Sequence, residues 1–161
     1  MLIIFFGMII VILFLFYRVS KKYKQKIQYI SDNSKKISQY YFVLNDWMML
    51  KQKGGGIADY LRHQNAKRVA IYGMKELGER LYDELQMEKD IEIVCSIDEG
   101  ADKLITDIPI IKLNDPIPKD IDLVIVTPVF YYREIEKNLK TKMMADIVSL
   151  DYIITMQLHR V

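Results

Sequence analysis

Between Arg68 and Gly78 the chain reads Arg-Val-Ala-Ile-Tyr-Gly-Met-Lys-Glu-Leu-Gly: a short apolar run, a glycine corner, and the opening of an amphipathic helix. A buried strand that passes through a tight glycine turn into a helix aims free backbone N–H groups and the positive helix end at one point. That arrangement suits an anion, and it ties the strand to whatever sheet surrounds it. The rest of the chain is read outward from this stretch.

The pattern beyond it alternates strands and helices. Leu77, Leu81, Tyr82 and Leu85 form one face of a helix ending near Met87, and Ile91 to Ile97 is a second strand that runs into Asp98. Ile108-Pro109-Ile110-Ile111 is a third extended piece, confined by its proline to a sheet edge or a strand start. Leu123-Val124-Ile125-Val126 is continuously apolar, as in a strand buried on both faces of a parallel sheet. A helix from about Tyr131 to Lys140, a last strand at Ile147-Val148 and a terminal turn or helix from Leu150 to Met156 complete the series. With right-handed crossovers this predicts an α/β fold with an open parallel sheet in the order 3-2-1-4-5.

The part before Arg68 is of another kind. Leu2 to Tyr17 is an unbroken apolar run whose helix reaches ~25 Å, near the short end of what spans a bilayer. It is expected to be a transmembrane anchor, with a signal peptide or a buried hairpin as alternatives. Seven basic residues from Arg18 to Lys36 face one acid, Asp32, while the whole chain carries only +2, so the remainder is net acidic. This collar acts as a stop-transfer signal or lies on anionic headgroups, and it predicts a cytoplasmic C-terminal domain in the cell membrane. An acidic domain behind it argues against nucleic acid as a partner.

From Ile27 to Lys51 the positions Ile37, Tyr40, Tyr41, Leu44, Trp47, Met48 and Met49 predict an amphipathic helix. Its aromatic stripe either packs on the domain's own sheet or forms a protein or homodimer interface through Tyr40, Leu44 and Trp47. Gly54-Gly55-Gly56 is a flexible break. The expected division is an anchor over 1–17, a collar and helical linker over 18–56, and an α/β domain over 57–161.

In open α/β sheets ligands bind outside the carboxyl ends of the strands. There the chain offers Gly73, Met74, Lys75, Glu76 and Gly78 at the turn, Asp98 after the second strand, and Thr127, Pro128 and Tyr131 after the fourth. Gly73 and Gly78 make Gly-x-x-x-x-Gly, with Lys75 where a dinucleotide fingerprint carries its middle glycine, which weakens the case for an ordinary dinucleotide. Lys75 either contacts a phosphate or points into solvent. Asp98 either bonds ribose hydroxyls or begins the turn Asp98-Glu99-Gly100, and Tyr131 or Tyr132 is placed to cover a base or sugar. No catalytic constellation is evident: His63 and His159 lie outside the crevice strands, Asp102 and Asp107 fall in a polar loop, and Cys95, the single cysteine, sits inside an apolar strand.

The segments Val69–Leu81, Ile97-Asp98, Ile108-Pro109-Ile110, Asp122–Pro128 and Glu134-Ile135 together resemble the small Rossmann-like, NAD(P)-binding-type domains of bacterial surface-polysaccharide biosynthesis proteins. Similar domains precede the catalytic part of membrane-bound nucleotide-sugar dehydratases and polyprenyl-phosphate sugar transferases, and form the C-terminal part of sugar C-methyltransferases. The resemblance covers about Lys67 to Ile154. It implies a nucleotide, nucleotide-sugar or NAD(P) against Gly73, Lys75, Gly78 and Asp98, in an accessory or regulatory module. An NAD(P)-dependent enzyme of sugar-nucleotide metabolism and a scaffold with a vestigial nucleotide site are the alternatives.

Overall fold

The computed structural model describes residues 2–100 and 107–161, with side chains described at Phe6, Gly7 and from residue 13 onward. The chain divides into two compact units, one ending at Ser38 and the other comprising Gln39–Val161.

The first helix, α1, spans Leu2–Gln52 without interruption. The expected anchor, collar and amphipathic helix are therefore one element, because no proline stands in this segment and Gly7 is its only glycine. Among the described residues no helix is long and apolar enough to cross a membrane. The expected transmembrane helix is not met on that criterion. The side chains of 2–5 and 8–12, most of the expected anchor, lie outside the described residues.

The second unit contains the end of α1, then α2 (Ile57–His63), β1 (Arg68–Tyr72), α3 (Glu76–Leu85), β2 (Glu92–Ile97), β3 (Ile110–Ile111), β4 (Leu123–Val126), α4 (Tyr132–Lys140), β5 (Asp146–Ser149) and α5 (Leu150–Leu158). The five strands form one sheet in the order β3-β2-β1-β4-β5, and every neighbouring pair is parallel. This is the predicted topology. β3 is the two-residue edge strand that Pro109 allows, following the proline directly.

Alternation along the strands sorts the core into two layers. Val69 and Ile71 of β1, with Leu123 and Ile125 of β4, pack with Trp47 and Leu50 of α1, Leu61 of α2, Leu81 of α3 and Ile153 of α5. Ala70, Val124 and Val126 point the other way, onto Ile135 and Leu139 of α4 and Ile147. All four residues of β4 are buried, as its continuous apolar run requires.

A carboxylate fastens the helices of the first layer together. Trp47 Nε1–H donates to Glu84 Oε2 at 2.8 Å and the Ile57 amide to Glu84 Oε1 at 2.8 Å, while Lys51 Nζ lies 3.3 Å from the same Oε1. The end of α1, the start of α2 and α3 thus meet at one side chain that is only 10% exposed. Trp47 is committed to this core, the packing alternative for its stripe. At the strand starts, Asp122 Oδ2 accepts the backbone N–H groups of Lys67 and Arg68, each at 2.9 Å.

Two outcomes are expected. Glu84→Ala orphans the Trp47 and Ile57 donors and should lower unfolding stability by about 2–4 kcal/mol in urea titration; a loss well under 1 kcal/mol would show that water replaces the carboxylate. The amides of Arg68 and Lys67 hold the Asp122 carboxyl below the usual carboxylate range. A pKa depressed on folding stabilises above the unfolded value of about 3.9, and that contribution is lost as pH falls toward the folded value. Asp122→Asn should therefore melt below the parent at neutral pH, and the two melting curves should converge in acid below the carboxylate range.

Candidate functional site

Strand order reverses between β1 and β4, which places a crevice beyond their carboxyl ends. The crevice begins at Gly73, whose φ of +88° lies in the left-handed region. A Cβ there would meet Pro128 Cδ and Cγ at 2.8 Å. The turn is held from both sides: the Gly73 amide donates to Ile97 O of β2 at 2.9 Å, and Thr127 Oγ1–H, beyond β4, donates to Gly73 O at 2.7 Å. Gly78 is buried in the first turns of α3, and a Cβ on it would stand 2.0 Å from Gly73 O. Only a glycine lets this helix lie so close to the turn it leaves.

Asp98, at the end of β2, faces the same turn. Its Oδ2 accepts the Met74 amide at 2.8 Å and its Oδ1 accepts the Gly100 amide at 2.7 Å. The second bond is the Asx-type turn that Asp98-Glu99-Gly100 predicts. The first is new: a carboxylate of the protein itself occupies one of the amides expected to cradle an anion. The amides that open α3 have no side-chain cap, with Lys75 extended at the N-cap position, so the helix end remains an anion-attracting terminus.

Around these groups lies a cleft of about 460 Å³, within the size range of small-molecule sites. Gly73, Lys75, Glu76, Asp98, Thr127, Pro128 and Tyr131, seven of the nine site residues read from sequence, line it. The other two do not: Met74 is 1% exposed in the core and Gly78 serves the close packing just described. Five further residues line the cleft: Tyr40, Leu44, Tyr72, Leu77 and Glu99. Tyr40 and Leu44 belong to the aromatic stripe of α1, so that stripe also walls the cleft. Glu99 belongs to the turn read from Asp98-Glu99-Gly100.

Tyr131 lines the cleft and packs edge-to-face on Phe130 with ring centroids 5.3 Å apart. Tyr132 does not: its hydroxyl donates to Ile147 O at 2.9 Å, turning the ring toward β5. Of the two tyrosines expected to cover a base or sugar, Tyr131 is the one at the crevice.

Among the described residues the cleft lining is mostly apolar and aromatic, with three carboxylates, one ammonium and one threonine hydroxyl beside its tyrosines. Burial pushes the Tyr72 phenol up, and the Glu99 and Asp98 carboxylates add to it. Elsewhere, burial pushes the Cys95 thiol up to about 11, in keeping with an inert strand cysteine. His159 Nδ1 sits 2.7 Å from Thr155 O, at the far end of α5. Asp107 is exposed and Asp102 lies outside the described residues. Among the described residues no cluster of His, Cys, Asp and Glu is placed to hold a metal ion.

Gly78→Ala is expected to cost about 3 kcal/mol of stability through overpacking against backbone that cannot yield. The same change at the exposed Gly54, where a Cβ meets nothing but φ is +81°, isolates the cost of backbone strain alone. Chemical denaturation of both variants separates the two effects.

Residues 65–157 match the family model described as C2185-like, N-terminal. No curated protein and no solved structure matches the chain. The matched segment runs from just before β1 into α5 and carries every cleft residue except Tyr40 and Leu44. The chain belongs to the C2185-like N-terminal domain family.

Proposed function

We propose that this chain is a Rossmann-like module that binds a nucleotide or nucleotide-sugar at the β1/β4 switch point. In this reading it is tethered to the cytoplasmic face of a membrane by α1 and serves as an accessory in cell-envelope polysaccharide synthesis. The observation that carries the ligand reading is the convergence of Gly73, Lys75, Asp98, Thr127 and Tyr131 on one cleft beside an uncapped helix N-terminus. Tyr40, Tyr72 and Tyr131 offer flat apolar surface to a base. Asp98 and Glu99 accept from sugar hydroxyls, and Lys75 with the α3 amides takes a phosphate. The tether is supported by the exposure of Phe6 and of Leu13 through Tyr17 on α1, followed at once by basic residues. The link to polysaccharide synthesis rests on the sequence resemblance alone.

One observation favours a second reading. Asp98 already holds the Met74 amide, so a carboxylate stands where a dinucleotide would place part of its pyrophosphate. A scaffold with a vestigial nucleotide site is built in this way.

Thermal-shift measurements on the full-length protein with UDP, UDP-glucose and NAD+ decide between them. The binding module is expected to be stabilised by at least one uridine nucleotide, with the shift abolished in Lys75→Ala while the ligand-free melting temperature stays unchanged, since Lys75 is exposed. A nucleotide at about 100 times its Kd contributes about 2.7 kcal/mol, well within detection. No shift with any of the three supports the scaffold.

A further inference from the structure

A second cavity, of about 480 Å³, lies next to the cleft, where β4 gives way to α4 and β5 to α5. The two spaces share walls. Tyr131 lines both, and the neighbouring residues Gln39 and Tyr40 of α1 line one each. A ligand laid along Tyr131 therefore reaches from the cleft into the second cavity.

The two linings differ in chemistry. Where tyrosines and aliphatic side chains dominate the cleft, Gln39, Arg133, Glu134, Ser149 and Asp151 bring polar groups to the second cavity. Two of them lack partners. Ser149 is the N-cap of α5, a position where a serine oxygen ordinarily accepts the amide of the second or third helical residue. It makes no such bond. Ser149 is only 7% exposed, and among the described residues its hydroxyl has no hydrogen-bond partner. Asp151, in the first turn of the same helix, has one carboxylate oxygen, Oδ1, buried without a hydrogen bond. An unpaired carboxylate oxygen beside a cavity calls for a donor from outside the chain.

We propose that this cavity holds the hexose of a nucleotide-sugar, an assignment that rests on the reading of the cleft as its nucleotide site. Charge and hydrogen bonding select that occupant. Among the described lining residues two carboxylates stand against one guanidinium, a balance that turns away a further phosphate or a free acid. A hexose is neutral, and each of its hydroxyls both donates and accepts. Asp151 and Glu134 accept from those hydroxyls, while Arg133 and Ser149 donate to them. Phe130 and Tyr131, 37% and 40% exposed, offer the ring an apolar surface. Tyr131 then stands at the junction of nucleotide and sugar.

Calorimetric titration of the full-length protein in detergent micelles compares UDP with UDP-glucose and UDP-N-acetylglucosamine. At least one conjugate is expected to bind about tenfold or more tighter than UDP. Arg133→Ala and Asp151→Asn, the second of which keeps the side-chain shape, should each bring that conjugate to within about threefold of UDP while the affinity for UDP itself stays unchanged. Arg133 is exposed, so its variant should melt with the parent, and a loss of sugar preference there is not unfolding. Lys75→Ala should weaken UDP and the conjugate alike, because it acts on the phosphate in the cleft. Equal affinity of the parent for UDP and both conjugates overturns the sugar cavity and leaves the nucleotide site standing. No binding of UDP or of either conjugate overturns both. A preference for the conjugate that survives both variants, or variants that weaken UDP as much as the conjugate, overturns the placement of the sugar among these residues.

Discussion

The approach of Gly78 to the carbonyl of Gly73 is the contact on which the rest of the α/β unit depends. With a Cβ position only 2.0 Å from that oxygen, α3 can rest on the strand it follows only because a hydrogen stands where every other residue carries carbon. That closeness lets Leu77, Leu81 and Leu85 reach the first core layer and brings the uncapped end of α3 to the crevice. Gly73 bends the chain into the left-handed region, and its amide and carbonyl are claimed by β2 and by Thr127 beyond β4. One turn therefore joins three strands and a helix, and the cleft is the space that remains in front of it.

The chemistry of that space is more specific than its topology. A dinucleotide site of the ordinary kind presents glycine and open amides to a pyrophosphate. Here Lys75 replaces the middle glycine and Asp98 takes the Met74 amide, while Glu76 and Glu99 add negative charge at the rim. Among the described lining residues the one ammonium, with the helix terminus, favours one phosphoryl group near α3. The carboxylates and aromatic walls favour hydroxyls and a ring, and two adjacent phosphates would have to compete with Asp98. On the proposed reading, this balance favours a nucleoside-type ligand over a redox dinucleotide.

Much of this was legible in the residues. Four consecutive apolar residues from Leu123 to Val126 announced a strand covered on both faces, Pro109 announced an edge, and the glycine spacing marked the turn. What escaped depended on tertiary placement. Trp47 had to pack somewhere, but only the fold brings Glu84, 37 positions away, to its indole N–H at 2.8 Å. Tyr40 and Leu44 wall the cleft from a helix far from the turn in sequence. The two roles foreseen for Asp98, turn former and ligand acceptor, are joined by a third, closure of the Met74 amide, which no local spacing reveals. The continuity of α1 was hidden by its change from apolar to basic composition, although nothing in those residues breaks a helix.

Hydrogen exchange on the full-length protein, read by mass spectrometry with and without a uridine nucleotide-sugar, tests the central claim most directly. Slowed exchange is expected in peptides covering Tyr72 to Leu77, Asp98 to Gly100 and Thr127 to Tyr131, with the Leu123 to Val126 strand unchanged because it is already buried. Protection confined to other segments, or none at saturating nucleotide-sugar, would contradict a ligand site at the β1/β4 switch point.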